Sequence, residues 1–300
     1  MEYVIQQALN ALSIGGEYAL LALGLAIVFS VMGLVNFAHG ELITIGGYAM
    51  YGFLIFAGAS VNLWSVIPIG IIAAIAAAVL FERVAFRPVR NAPATTGLLT
   101  AFGLSIIVKN FFVTTVATRP KAVETPSFFD TQILIGQVRI PTLQVLEAGV
   151  TALAFIGLLI LLRSTNIGLA MRAAAKDFNT VRLMGIRANH VVFAAFLISG
   201  LLAGLAAIFI ISRRGAVDPL MGFFPVLKAF VAAVLGGFGS LAGAIIGGFV
   251  LGISEVVFQV VLPEGVAGYR DAFVFLLVGG VLIFRPQGIF GRRAVLGDKE

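Results

Sequence analysis

Long apolar runs alternate with short polar breaks along the whole chain. The first run, about Ala8–Met32, is long enough to cross the roughly 30 Å hydrocarbon layer of a bilayer. A break follows at Gly33–Glu41, GLVNFAHGE, carrying Asn36, His39 and Glu41. The second run, about Leu42–Ala57, is short and contains Gly46, Gly47 and Gly52. A third, Leu63–Phe81, leads into Arg83, Arg87 and Arg90, where Pro88 and Pro93 are expected to stop a helix. Gly97–Ala117 returns across the membrane. The segment Thr118–Thr142 is the longest that is not strongly apolar, and TQILIGQVRIP within it alternates and turns near Gly136, the pattern of a small extracytoplasmic hairpin. Leu143–Leu162 and Val191–Ser212 form two more runs. Phe224–Leu262 is too long for one crossing, since about 39 residues at 1.5 Å each approach 60 Å. The GGFGS at Gly236–Ser240 is therefore expected to be a turn. A last run, Ala272–Phe284, ends beside Arg285.

These runs predict an all-α polytopic bundle, one transmembrane domain over residues 1–300. About nine spans are expected, with the N-terminus outside, or eight if either glycine-rich segment is re-entrant. The glycine-bearing segments at both ends hint at an internal repeat. Met1–Asn10 has no Lys or Arg, so the basic start of a signal peptide is missing and the first helix is expected to remain as an anchor.

Composition sharpens this picture. The chain is 60% hydrophobic and 11% charged, with a mean hydropathy of +1.08. Soluble domains carry roughly 25% charged residues, so most of this surface faces lipid or other protein. The net charge of +6 calls for no nucleic acid, because most of the cations stand at the ends of apolar runs, as the positive-inside rule requires. Arg213 and Arg214 are the exception: they fall outside, and the sequence offers no account of them. There is no cysteine, so disulfide and thiolate chemistry are excluded.

The loop Arg163–His190 has Arg163, Arg172, Lys176, Arg182 and Arg187 against one acid, Asp177, which marks it as cytoplasmic. If Ala170–Gly185 were one helix, Ala170, Ala174, Phe178, Val181 and Met184 would share a face opposite Arg172, Lys176, Asn179 and Thr180. Gly185 is placed to end it in a left-handed conformation. Asp177 falls on the apolar side, so it either caps a second short helix or meets a cation on another protein. A basic amphipathic segment can also simply lie on anionic headgroups.

Within this loop, RAAAKDFNTVRLMGI resembles the cytoplasmic loop of permease subunits of ABC importers for branched-chain amino acids, the Liv type. GLVNFAHGELITIGGY (Gly33–Tyr48) and VLGGFGSLAGAIIGG (Val234–Gly248) are similar to that family too, and the likeness covers nearly the whole chain in order. The resemblance implies a type II ABC importer-like permease in the bacterial cytoplasmic membrane. It further implies a second related permease subunit, two ATPase subunits and an extracytoplasmic binding protein as partners. Leucine, isoleucine and valine are the implied cargo, with urea or short-chain amides carried by related permeases. Arg172, Lys176, Asp177, Arg182 and Gly185 would then form the surface that docks the ATPase.

Candidate chemistry is sparse. His39 and His190 have no metal-ligand spacing, no nucleophile–base grouping can be assembled, and no lysine is followed by Ser or Thr, so a phosphate-binding P-loop is missing. The chain is not read as an enzyme and no cofactor is expected; any ATP hydrolysis belongs to another chain. The carboxylates in apolar context are Glu17, Glu41 and Glu255, and such acids line a pathway or pair with another polar group. Glu41 stands with Asn36, His39 and Gly40 in an expected helix break, whose free N–H and C=O groups suit an amino acid's carboxylate and ammonium. The same break could simply turn the chain at the cytoplasmic face. For Glu17 and Glu255 the alternative is interhelical hydrogen bonding. An ion-coupled secondary transporter using the three acids is the rival from another class. Gly236, Gly237, Gly239, Gly243, Gly247, Gly248 and Gly252 include small-xxx-small spacings, suited to subunit pairing, a close-packed gate or ordinary packing within the chain.

The charge pattern makes topology testable. Single cysteines at Asn91 and Thr180 should react only from the cytoplasm and one at Ser127 only from outside. Labelling of Thr180→Cys in intact cells by an impermeant reagent would reverse the orientation.

Overall fold

A computed structural model of the protein describes residues 2–58, 62–90, 92–116, 118–135, 138–175, 181 and 184–290. Ten helices are numbered here in chain order: α1 Glu2–Met32, α2 His39–Ala57, α3 Val66–Phe81, α4 Ala94–Thr115, α5 Thr142–Ser164, α6 Asn166–Ala174, α7 Ala188–Arg214, α8 Phe223–Gly236, α9 Leu241–Val261 and α10 Arg270–Phe284. Four short strands accompany them: β1 Lys121–Ala122, β2 Gln132–Ile135, β3 Val138–Pro141 and β4 Ala216–Val217. The expected hairpin is β2–β3, antiparallel with Ile135 opposite Val138. β1 pairs antiparallel with β4 and ties the segment after α4 to the one after α7.

Among the described residues, eight helices are long and apolar enough to cross a membrane. The ninth expected span, α8, has 14 residues, about 21 Å of helix, short of the hydrocarbon layer. A non-helical stretch precedes it. It starts at β4, beside β1, and reaches Gly222, whose carbonyl lies against Gly40. At the far end of α8, Ile289 and Phe290 donate to the carbonyls of Leu235 and Gly236, placing that end beside the end of α10. The expected GGFGS turn is present, with the Ser240 side chain accepting from Gly243 N–H at the start of α9.

One expectation is corrected. Pro88 does not stop the helix after Phe81. A π-turn at Glu82–Phe86, closed by Arg87 N–H donating to the Glu82 carbonyl, shifts the hydrogen bonding by one residue. Pro88 then falls in the first turn of the next short helix, Arg87–Val89, where a missing N–H costs least. Pro93 does act as the boundary, preceding α4 directly.

The core is built around α1. Ala19, Leu20, Leu21, Ala22 and Leu23 are fully buried, so this helix is enclosed on all sides, as an all-apolar sequence allows. The small-xxx-small glycines pack within the chain: Gly248 faces Ala19, Gly252 faces Gly15, Gly247 faces Ala232 and Gly243 faces Gly236. On the other side Gly200 and Gly204 of α7 lie against Ala74, Ile75 and Ile71 of α3. The outer helices α4, α5 and α10 expose Leu99, Ile107, Leu153, Ile160, Leu276 and Ile283, as surfaces suited to lipid or a neighbouring subunit do.

Candidate functional site

The break between α1 and α2 re-enters the bundle. After Met32 the chain turns at Gly33, φ +69°, and α2 starts at His39, whose ring packs against Gly24 in the interior of α1. His39 Nδ1 lies 3.0 Å from Ser199 Oγ of α7. The first turn of α2 touches the backbone that leads into α8: Gly40 faces the Gly222 carbonyl, and Gly222 faces the Gly40 carbonyl and Thr44 Oγ1. A Cβ at either glycine would occupy the other's backbone. The N-terminal ends of α2 and α8, each carrying the partial positive charge of a helix start, therefore lie side by side inside the bundle, with His39, Glu41, Phe223 and Val226 N–H groups bonded to Asn36, Ala38, Leu220 and Gly222 carbonyls.

The sequence-selected residues divide between two faces. Glu41, 1% exposed, points to α4: its Oε1 accepts from Ser105 Oγ at 2.8 Å and lies 3.6 Å from Lys109 Nζ. Among the described residues its Oε2 has no hydrogen-bond partner, nor does Asn36 Oδ1, and both atoms are buried. Lys109 Nζ sits 4.6 Å from the centre of the Phe223 ring at the start of α8. Phe37 stacks on Phe102 at 4.7 Å and leans on Phe230 at 5.2 Å. Asn36, Gly40 and Glu41 thus adjoin an aromatic wall, two helix starts and a lysine. His39 faces the opposite way, into α1 and α7, and acts there as a packing residue.

In the cytoplasmic loop, the expected helix from Ala170 starts earlier and ends earlier. α6 begins at Asn166, where Thr165 Oγ1 accepts from Gly168 N–H at 3.0 Å, and ends at Ala174. Ala170 and Ala174 are buried and Arg172 is exposed, as the periodicity predicts. Val181 is buried, but Met184, expected on the same face, is 73% exposed. Gly185 has φ +78°, and Ile186 N–H donates to the Val181 carbonyl at 3.3 Å, the six-to-one bond of a Schellman end. The left-handed Gly185 expected from the sequence is thus present in the structure. Lys176, Asp177 and Arg182 lie outside the described residues.

A third constellation was not read from the sequence. At the end of the bundle that holds β1 and β4, Arg213 of α7 bridges Glu147 of α5 at 2.8 Å and Glu17 of α1 at 3.2 Å, and Ser13 also bonds Glu147. Arg214 pairs with Asp218 at 3.7 Å. Beside them Lys228 of α8 meets Glu255 of α9 at 2.9 Å, Tyr18 Oη at 3.0 Å and Asp271 at 3.2 Å. Tyr18 donates to Glu255 at 2.6 Å and Arg270 reaches Glu255 at 2.8 Å. This network accounts for the two arginines that break the positive-inside pattern: each has an acid on the same side. Glu17 and Glu255 are interhelical partners, the second of the two roles open to them. The missed signal was Glu147 and Lys228, single charges inside otherwise apolar runs, since buried ions in membranes occur with partners.

Residues 7–284 match the family described as branched-chain amino acid transport system / permease component. The chain is 37% identical, over 98% of its length and 97% of the relative's, to the high-affinity branched-chain amino acid transport system permease protein LivH of Salmonella typhimurium. It is 36% identical, with the same coverage, to the corresponding protein BraD of Pseudomonas aeruginosa. A partial likeness, 30% over 47% of the chain, links it to the autoinducer 2 import system permease protein LsrC of Yersinia pseudotuberculosis.

The network's energetics give a direct test. Glu147 is fully buried and Arg213 part-exposed, so Arg213→Gln leaves Glu147 and Glu17 without their shared cation, at a cost of about 2 kcal/mol or more. Thermal unfolding in detergent should register the loss, and Glu147→Gln added to Arg213→Gln should recover much of it. If the double variant is no more stable than the single one, the pair is not what holds these helices.

Proposed function

The chain belongs to the branched-chain amino acid transport permease family, and on that premise we propose that it is one permease subunit of an ABC importer for leucine, isoleucine and valine. It is a multi-pass protein of the bacterial cytoplasmic membrane and a transport component, not an enzyme. The observation that carries the substrate is end-to-end identity of 36–37% to two permeases named for branched-chain amino acids. That favours these cargoes over urea or amides. ATP hydrolysis and substrate capture belong to partner chains. The assembly we propose has a second, homologous permease, two ATPases and one extracytoplasmic binding protein, around a single membrane domain spanning residues 1–300.

The pathway is proposed to pass the re-entrant break at Asn36, His39, Gly40 and Glu41. Three features support it. Two helix N-termini converge there and favour a carboxylate; Glu41 Oε2 and Asn36 Oδ1 are unmatched acceptors for an ammonium; and Phe37, Phe102 and Phe230 offer an apolar surface for an aliphatic side chain. His39 takes part through position, holding the start of α2 against α1 and α7. Helix ends whose free groups stand in for water around a zwitterion are a recurring design in transporters.

Coupling is proposed to run through Arg172, Lys176, Asp177, Arg182 and Gly185. ATP-driven movement of this surface would bias the helices attached to it between inward and outward access. What supports this is α6, which carries exposed Arg172 on a buried seat of Met171 and Ala174, together with the left-handed end at Gly185.

Proteoliposomes holding the full complex test both proposals. Leucine uptake should require ATP inside and loaded binding protein outside. Uptake that collapses with the ion gradient while ATP remains would instead establish a secondary transporter. Glu41→Gln should change leucine affinity or selectivity without loss of assembly; unchanged transport would leave the break a purely structural turn.

Gly185→Val forces a β-branched residue into the left-handed region, a strain of about 1–3 kcal/mol at the helix end. It should abolish binding-protein-stimulated ATP hydrolysis and uptake while the permease pair still forms. Asp177→Ala should weaken the same two activities. If both variants match the parent, the ATPase engages elsewhere.

A further inference from the structure

The ends of α3 and α7 that the charge pattern places in the cytoplasm enclose an open cleft of about 580 Å³. Arg83, Arg87 and Arg187 line it with His190, over a wall that includes Phe193. The one acid in the lining, Glu82, is already matched: it is 3% exposed and accepts from Arg90 at 2.6 Å, and Arg90 also donates to Asn189 at 2.5 Å. Those two bonds brace the cleft floor across α3 and α7 and remove the carboxylate's charge from it. Arg83 stands over the Phe193 ring at 5.7 Å, within the range of a cation–π contact. Three exposed guanidinium groups therefore converge on one concave site with no free acid among the described lining residues.

Above the cleft the surface is apolar, and its geometry is helical. On α3, Ile72, Ala76 and Leu80 are exposed and fall on the face that carries Arg83. On α7, Leu197 and Leu201 are exposed and continue the face of His190 and Phe193. The helices themselves meet closely through Gly200 and Gly204, so the two stripes rise from the cleft toward the bilayer as apolar flanks. A site with cations at the cytoplasmic interface and hydrocarbon surface directly above has the shape and charge of an anionic phospholipid. Basic pockets between membrane helices on the cytoplasmic side are known to take such headgroups.

We propose that the Arg83–Arg87–Arg187 cleft binds one anionic phospholipid of the cytoplasmic leaflet, its phosphate among the arginines and its acyl chains along α3 and α7. Guanidinium suits this role because its planar fork bonds phosphate oxygens in pairs. The site is separate from the α2 break and reads the membrane, not the transported solute.

Native mass spectrometry of the purified chain, titrated with phosphatidylglycerol or phosphatidylcholine, tests this. The parent should retain phosphatidylglycerol in preference to phosphatidylcholine. Each of Arg83→Gln, Arg87→Gln and Arg187→Gln should weaken retention about fivefold, the weight of one cation near an anionic headgroup. Glycerol 3-phosphate, the headgroup without tails, should fail to displace the lipid at equal concentration. Equal retention of the two lipids by the parent would overturn the proposal without reference to any variant. So would a triple variant that still prefers phosphatidylglycerol, or displacement by glycerol 3-phosphate, which would mark a soluble-anion site. Displacement of the lipid by the purified ATPase subunit would assign the arginines to that partner instead.

Discussion

Backbone-to-backbone contact at glycine is the constraint on which this bundle rests. Inside a bilayer, lipid tails solvate leucine as well as a neighbouring helix does, so association depends on close van der Waals packing. The chain meets that need where Gly15 and Gly252, Gly248 and Ala19, Gly247 and Ala232, and Gly236 and Gly243 bring α1, α8 and α9 together. The same device, at Gly40 and Gly222, joins the starts of α2 and α8. Two half-buried helix starts can lie side by side only because neither carries a side chain at the contact. The position of the proposed pathway is thus a consequence of the packing rule that holds the core.

The ionic network borders a small cavity of about 190 Å³ lined by Glu17, Tyr18, Arg213, Lys228, Glu255 and Arg270, with its glutamates buried and Arg213 and Arg270 reaching solvent. Glu17, Glu147 and Glu255 come from α1, α5 and α9, while Arg213 and Lys228 come from α7 and α8. Each cation bridges helices that are distant in sequence, so the network cross-links the end of the bundle near β1 and β4. Removing one member exposes the others to an uncompensated field, which is why such groups occur as sets. Glu41 and Lys109 form a looser pair, at 3.6 Å with one carboxylate oxygen unmatched.

The spans were legible because length and hydropathy alone set them, and the hairpin, the GGFGS turn and the left-handed Gly185 were legible because turn chemistry is local. Three features were not. The π-turn at Glu82–Phe86 arises from accommodating Pro88 within a continuing helix, and nothing in ERVAFRPVR distinguishes that solution from a stop. The opposite orientations of His39 and Glu41 depend on which neighbours α2 acquires, a tertiary fact. Met184 was assigned to the apolar face by extending one helical period across a segment whose first helix ends at Ala174. Arg213, by contrast, broke the charge rule visibly; pairing it with Glu147 required only the premise that isolated intramembrane charges seek partners.

The cytoplasmic loop shows how a local bend can carry force. Gly168 lies against the backbone of Leu161 and Leu162, so α6 folds back on the end of α5 with no space for a side chain between them. Thr165 caps α6 at the same bend, and Met171 lies with Ile27 of α1 along one cleft whose other wall is Phe238–Leu241. A displacement applied at Arg172 therefore meets a closed corner and not a slack linker. Arg172 is thereby seated on a short bracket fixed to the end of α5, the placement that the proposed coupling surface calls for.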